Sequence, residues 1–180
     1  MLIPLGFFGT GSSPAMELIS TAYGNGGSGV ITFSSIPSTY KHLQLRWVAV
    51  LAANNNSSPY LQFNGVATAS YSRHAMVGTG STAYSTYNAS QNWIMLSGDQ
   101  AGLGTNPTAG ITDILDYVSS TNNKTVRNFA SQALNSTSSK EVNLTSGGFF
   151  STSPISSITF NSGGGTFTTA TRVSLYGIKG

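Results

Sequence analysis

At 180 residues the chain fits one domain, and only 7% of it is charged, against the ~25% usual in globular proteins. A net charge of +3, with nine Phe, eight Tyr and two Trp, argues against disorder, which needs high net charge and few aromatics. The absence of cysteine removes disulfides, thiolate metal sites and thiol catalysis.

The first fourteen residues, MLIPLGFFGTGSSP, are apolar and then glycine-rich. They do not read as a signal peptide. No basic segment precedes them, and Pro4 and Gly6 interrupt an apolar stretch of about eight residues. Large apolar side chains left in water forgo roughly 1.5–3 kcal/mol each. Residues 1–14 are therefore expected to form an extended arm packed on a partner, anchored by Leu2, Ile3, Leu5, Phe7 and Phe8.

From residue 15 to 180 the pattern is strand, turn, strand. Met16–Ala22 leads into the loop Gly24–Gly29, and Val30–Ile36 follows as a strand. His42–Leu51 alternates most clearly, with Leu43, Leu45 and Trp47 on one face and Gln44 and Arg46 on the other. Pro59–Asn64 repeats the alternation with Leu61 and Phe63, and Asn64-Gly65 is a tight-turn signal. Weaker strands are expected at Tyr71–Val77 and Gln91–Leu96. Ile111–Val118, Lys124–Phe129, Glu141–Leu144, Ile155–Phe160 and Thr166–Ile178 complete the set, separated by SSTNN, NSTSS, TSGG and NSGGG, which are loop compositions. No stretch holds a helical apolar stripe. About ten short strands with polar turns predict an all-β, antiparallel two-sheet sandwich of jelly-roll type, in one domain over 15–180 behind the arm.

Catalytic and cofactor signals are weak. Gly24-x-Gly26-x-x-Gly29 matches a dinucleotide fingerprint, but that motif must open a helix, and here Val30–Phe33 reads as a strand. Asp113 and Asp116, three apart on one expected strand, point to opposite faces and cannot share a substrate. His42 and His74 are the only histidines, and neither a nucleophile elbow nor local metal-ligand spacing accompanies them. No catalytic residue, metal or cofactor is expected. The basic residues Lys41, Arg46, Arg73, Lys124, Arg127, Lys140, Arg172 and Lys179 are scattered singly, so no nucleic-acid surface is expected. No run approaches the ~18 apolar residues of a membrane helix, so no membrane partner is expected either. The sequons at Asn56, Asn88, Asn123, Asn135 and Asn143 follow from composition. Tyr71, Tyr84, Tyr87 and Trp93 lie in or near Gly/Ser-rich segments, where rings can stack on sugars or anchor an interface.

The opening MLIPLGFF, the MELISTA strand, FSSIPSTYKHLQLR (Phe33–Arg46), ILDY (Ile114–Tyr117), NNKTVRN (Asn122–Asn128) and the ending SLYGIKG (Ser174–Gly180) together carry a likeness. The chain resembles, from first residue to last, a family of short structural proteins of tailed bacteriophages. The resemblance implies a β-sandwich, commonly trimeric, on the virion surface, serving as capsid cement or as the distal domain of a tail spike or fibre. It brings no catalytic residues. The resulting expectation is a capsid decoration protein forming homotrimers on the outer shell and contacting the major capsid protein or another virion protein. The alternative is a host-recognition domain of a tail fibre or spike that binds surface glycan. Reading the chain as one complete domain from Met1 favours cement.

Overall fold

Alternation of side chains sorts the faces of nearly every strand in the computed structural model, which describes residues 14–53, 58–97, 105–133 and 140–180. The twelve strands in chain order are β1 (Met16–Tyr23), β2 (Val30–Phe33), β3 (His42–Ala49), β4 (Tyr60–Phe63), β5 (Tyr71–Gly78) and β6 (Ala83–Gln91). They continue as β7 (Ile94–Met95), β8 (Thr108–Leu115), β9 (Lys124–Ala133), β10 (Lys140–Phe149), β11 (Ile158–Asn161) and β12 (Arg172–Ile178). An eight-stranded sheet runs β1-β12-β3-β8-β9-β10-β5-β6, and a four-stranded sheet runs β2-β11-β4-β7. The anchors Leu2, Ile3, Leu5, Phe7 and Phe8 lie outside the described residues.

The strand order carries the jelly roll expected from the sequence. Setting β5, β6, β9 and β10 aside leaves β1-β12-β3-β8 facing β2-β11-β4-β7, in which first pairs with last and each later strand pairs inward. Two hairpins are added to this roll. β5–β6 follows β4, and β9–β10 follows β8. Both join the larger sheet beyond β8, so it is twice as wide as its partner.

The roll is filled as the alternation predicts. Leu43, Leu45, Trp47 and Ala49 of β3, Leu61 and Phe63 of β4, and Val173 and Leu175 of β12 are buried in one core. Trp47 meets Phe160 at 5.4 Å between ring centroids, and Phe160 meets Phe167 at 5.6 Å. The indole N–H of Trp47 donates to Thr112 (3.1 Å), whose hydroxyl donates to Asn128 (2.8 Å), whose amide donates to the Leu96 carbonyl (2.6 Å). The buried polar edge of the ring is thereby satisfied. Gly110, opposite Trp47, leaves room for it, since a Cβ there would stand 2.4 Å from the indole.

Several boundaries differ from the sequence expectation for physical reasons. Asn64 and Gly65 both adopt positive φ (53° and 68°), as the turn signal requires. Gly147 and Gly148, in a segment that reads as a loop, lie inside β10. A Cβ at Gly147 would approach the side chain of Ile94 to 2.6 Å, so this glycine admits the opposite sheet and makes no turn. Gln91–Leu96 is split: β6 ends at Gln91, and Ile94–Met95 belongs to the other sheet. Asp116 lies beyond the end of β8, at φ 49°, so its relation to Asp113 is not that of two residues on one strand. Gly24 and Gly29 open no helix. They sit in a loop against residues 165–168, where Cβ atoms would come within 2.1 Å of the Thr168 carbonyl and 2.2 Å of the Gly165 carbonyl.

Candidate interaction surface

In the added hairpins, β10 reverses the polarity seen in the roll over Glu141–Thr145. Along β10, Glu141, Asn143 and Thr145 are buried while Val142 and Leu144 are exposed. The same parity places Asn128 of β9 and Arg73 of β5 inside, with Phe129 and Met76 outside. Pairing fixes this arrangement, since a shift of one residue would exchange the two faces.

Arg73 and Lys124, two of the buried polar groups, are held by backbone carbonyls, whereas Asn143 Oδ1 and Thr145 Oγ1 have no hydrogen-bond partner among the described residues. Arg73 donates to the Ser97 carbonyl at 2.9 Å. The Lys124 ammonium donates to the carbonyls of Ser119 (2.7 Å), Asn122 (2.8 Å) and Ser151 (3.1 Å), pinning two loops to the start of β9. Burial lowers the pKa of Lys124, because removal from water disfavours its charged form.

On the outer face the register aligns Ser85, Met76, Leu144, Phe129 and Ile111 in one row across β6, β5, β10, β9 and β8. Met76 is 70% exposed, Leu144 58%, Phe129 50% and Ile111 45%. A second row runs Tyr87, His74, Ser146, Arg127 and Asp113. These two rows line a groove of about 880 Å³. The apolar row forms its floor, and the second row forms a polar flank.

The polar flank is internally engaged. His74 packs on Tyr87 with ring centroids 4.4 Å apart. Arg127 pairs with Asp113 at 3.5 Å, and Gln44 donates to the other carboxylate oxygen at 2.8 Å. Last in the order of described strands, β6 is a nine-residue strand, AYSTYNASQ, without charge or proline. A bulge interrupts its pairing only between Asn88 and Gln91, opposite Tyr71–Arg73.

Of the residues weighed for chemistry, the structure brings His42 and Asp116 together, with His42 Nδ1 3.7 Å from an Asp116 carboxylate oxygen, and places His74 and Asp113 along the groove flank. Asp116 pairs with Lys41 (3.2 Å), and its backbone N–H donates to Nδ1 of His42 (3.0 Å). His74 belongs to the groove flank on another strand. Among the described residues, no group of three His, Asp or Glu side chains is placed to hold a metal ion. Of the candidate aromatics, Tyr71 is fully buried. Its hydroxyl accepts from the Phe63 N–H and donates to the Val66 carbonyl, both at 2.9 Å, and burial raises its pKa. Trp93 stacks on Tyr60 at 5.1 Å. Tyr84 pairs with Val77 and so takes the opposite side of β6 from Tyr87, which alone of the four reaches the groove.

Sequence reading missed Met76, Ile111, Phe129, Val142 and Leu144 because apolar strand residues are assigned inward by default. The signal that would have found them is the interleaving itself. In E-V-N-L-T one set or the other must be exposed, and here the set holding Glu141 and Asn143 is the buried one. Compared with protein-family models, curated proteins and solved structures, the chain matches none.

Proposed function

We propose that the chain is a bacteriophage virion structural protein, a capsid cement or decoration protein that forms trimers on the outer shell and stabilises it. The observation that carries the proposal is the exposed, electrically neutral apolar face on a small charge-poor jelly roll. Such a face is characteristic of a protein that works by being covered in an assembly. The full-length resemblance to short structural proteins of tailed phages supports the same reading.

The mechanism is mass action. A subunit that binds only the assembled shell shifts the equilibrium towards the shell by RT ln(1 + [L]/Kd), about 2.7 kcal/mol when its concentration is a hundred times Kd. A trimer engaging adjacent capsid subunits adds avidity. In this reading the five apolar residues of the arm contact the partner virion protein. This reading involves no catalytic step. A tail-fibre or spike-tip role is the second reading, favoured by the exposed Tyr87 at the groove rim, where a sugar ring can stack.

Adding purified protein to undecorated particles tests the proposal. A rise in the temperature at which the particles disrupt is expected, and removal of Met1–Gly11 should abolish it while leaving a folded domain. No shift, together with binding to host surface polysaccharide, would replace decoration by the host-recognition reading.

A further inference from the structure

We infer that, before the chain meets any partner, its own apolar arm, Met1–Phe8, lies in the groove on the outer face of the large sheet, across β8, β9, β10 and β5. The assembly reading gives arm and face outside partners on the particle. This inference goes beyond it and names what covers them beforehand.

Composition selects the arm. The groove floor, Met76, Leu144, Phe129 and Ile111, offers only the weak Met76 thioether to a hydrogen bond, so it suits an apolar occupant. Outside the described residues, 54–57, 98–104 and 134–139 together hold two large apolar residues, Leu103 and Leu134. The arm holds Leu2, Ile3, Leu5, Phe7 and Phe8. Each such side chain gains roughly 1.5–3 kcal/mol on full burial, so arm and groove favour covering one another.

The place where the arm begins puts the groove within its reach. The Ala15 carbonyl accepts from the Lys179 N–H at 3.0 Å, which fixes the root of the arm beside β12. The Met16 sulfur accepts from the Arg46 guanidinium at 3.7 Å, so the chain enters on the outer face of the sheet. From Ala15 to Asp113, at the near corner of the groove, is three strands across and three residues along, about 18 Å. The seven residue steps from Ala15 to Phe8 span up to about 23 Å. Met1–Phe8 spans as much again, against about 14 Å from β8 to β5.

The polarity of the route matches that of the arm. Between root and groove the outer face carries Tyr176, Gln44 and Arg46. Arg46 lies over the Tyr176 ring at 5.3 Å and donates to Gln44 at 2.8 Å, and Gln44 donates to Asp113. The polar stretch GTGSSP, residues 9–14, passes over these side chains, and the apolar octet meets the apolar floor. A segment on so short a tether meets its own groove at an effective concentration in the millimolar range. Other copies in micromolar solution compete poorly with it.

Nuclear Overhauser contacts in the full chain test the inference. In dilute solution the ring protons of Phe7 and Phe8 should contact the methyl groups of Ile111, Leu144 and Met76 within one chain. Leu144→Lys should abolish these contacts, while unchanged methyl shifts of the buried Leu43, Leu45 and Val173 report an intact fold. Absence of the contacts in the parent would overturn the inference. So would contacts that appear only when a methyl-labelled copy is mixed with a ring-labelled copy, which would make a neighbour's arm the occupant. If the contacts form within one chain but the protein does not raise the disruption temperature of undecorated particles, the groove keeps its occupant and the decoration reading falls.

Discussion

The roll and its added hairpins are built from the same residue types and the same antiparallel pairing, yet β3 of the roll and β10 of the hairpins bury different things. In β3 the side chains turned inward are Leu43, Leu45, Trp47 and Ala49. In β10 they are Glu141, Asn143, Thr145 and Gly147, with Phe149 at the strand end. The roll has a second sheet opposite it, and apolar packing between the layers holds it. The added strands double the width of one sheet without a matching increase in the other. Their inner side mixes buried apolar residues, Tyr71, Ala75, Val77, Val126, Ala130 and Phe149, with buried polar ones, and their outer side carries further apolar residues. The difference shows that hydrophobic alternation identifies a strand without saying which face is buried. That choice follows from the partners each face finds.

Mutations can break the contrast, and the largest effect belongs to the roll. Trp47→Ala removes a core ring and strands the Thr112–Asn128 hydrogen-bond chain, at a cost of roughly 3–5 kcal/mol in chemical denaturation. A midpoint close to that of the parent would mean that Trp47 is not core. Leu45→Ala should cost about 2–5 kcal/mol. Leu144→Ala, measured at concentrations too low for association, should stay within about 0.5 kcal/mol of the parent. Equal losses from the two leucines would erase the distinction between the regions.

The polar layer gives the next effect. Lys124→Met keeps the stem but removes the donor shared by the Ser119, Asn122 and Ser151 carbonyls. It should cost roughly 1–3 kcal/mol, with earlier proteolysis in those loops. A neutral result would show that water replaces the ammonium at no cost.

The smallest effect lies at the far edge of the large sheet. Hydrogen bonds from Lys179 and then Tyr40 hold the Glu17 carboxyl below the usual glutamate range. A carboxylate with a depressed folded-state pKa stabilises the fold above its unfolded value, about 4.3, and loses that contribution as pH falls through the folded value. Glu17→Gln should therefore flatten the dependence of melting temperature on pH below about 4.3, and leave neutral-pH stability nearly unchanged. A parallel pH dependence in parent and variant would remove Glu17 from the account.

What the sequence disclosed follows the same division. The strands of the roll were legible because Leu43, Leu45, Trp47, Leu61 and Phe63 alternate with polar residues, and because Asn64-Gly65 is a turn with its own backbone signature. Of the extension, the strands at Tyr71–Val77, Lys124–Phe129 and Glu141–Leu144 were legible, and β6 was not. β6 is AYSTYNASQ, too polar and too exposed on both sides to stand out from a loop. Gly147 and Gly148 looked like a turn when one of them makes room for Ile94. Nothing local announces that Val142 and Leu144 face out. The groove is assembled from β5, β6, β8, β9 and β10, whose register depends on contacts distant in sequence, so its floor could not be named from any one segment.

Amide hydrogen exchange in β6, followed as protein concentration is raised, tests the central claim most directly. An assembly in which a second copy covers this side of the large sheet predicts that exchange over Ala83–Asn88 slows as the mass rises to that of the assembly. Protection in the roll should stay constant. Rapid exchange in β6 at every concentration, while an oligomer forms, would contradict the account and place the contact between copies elsewhere.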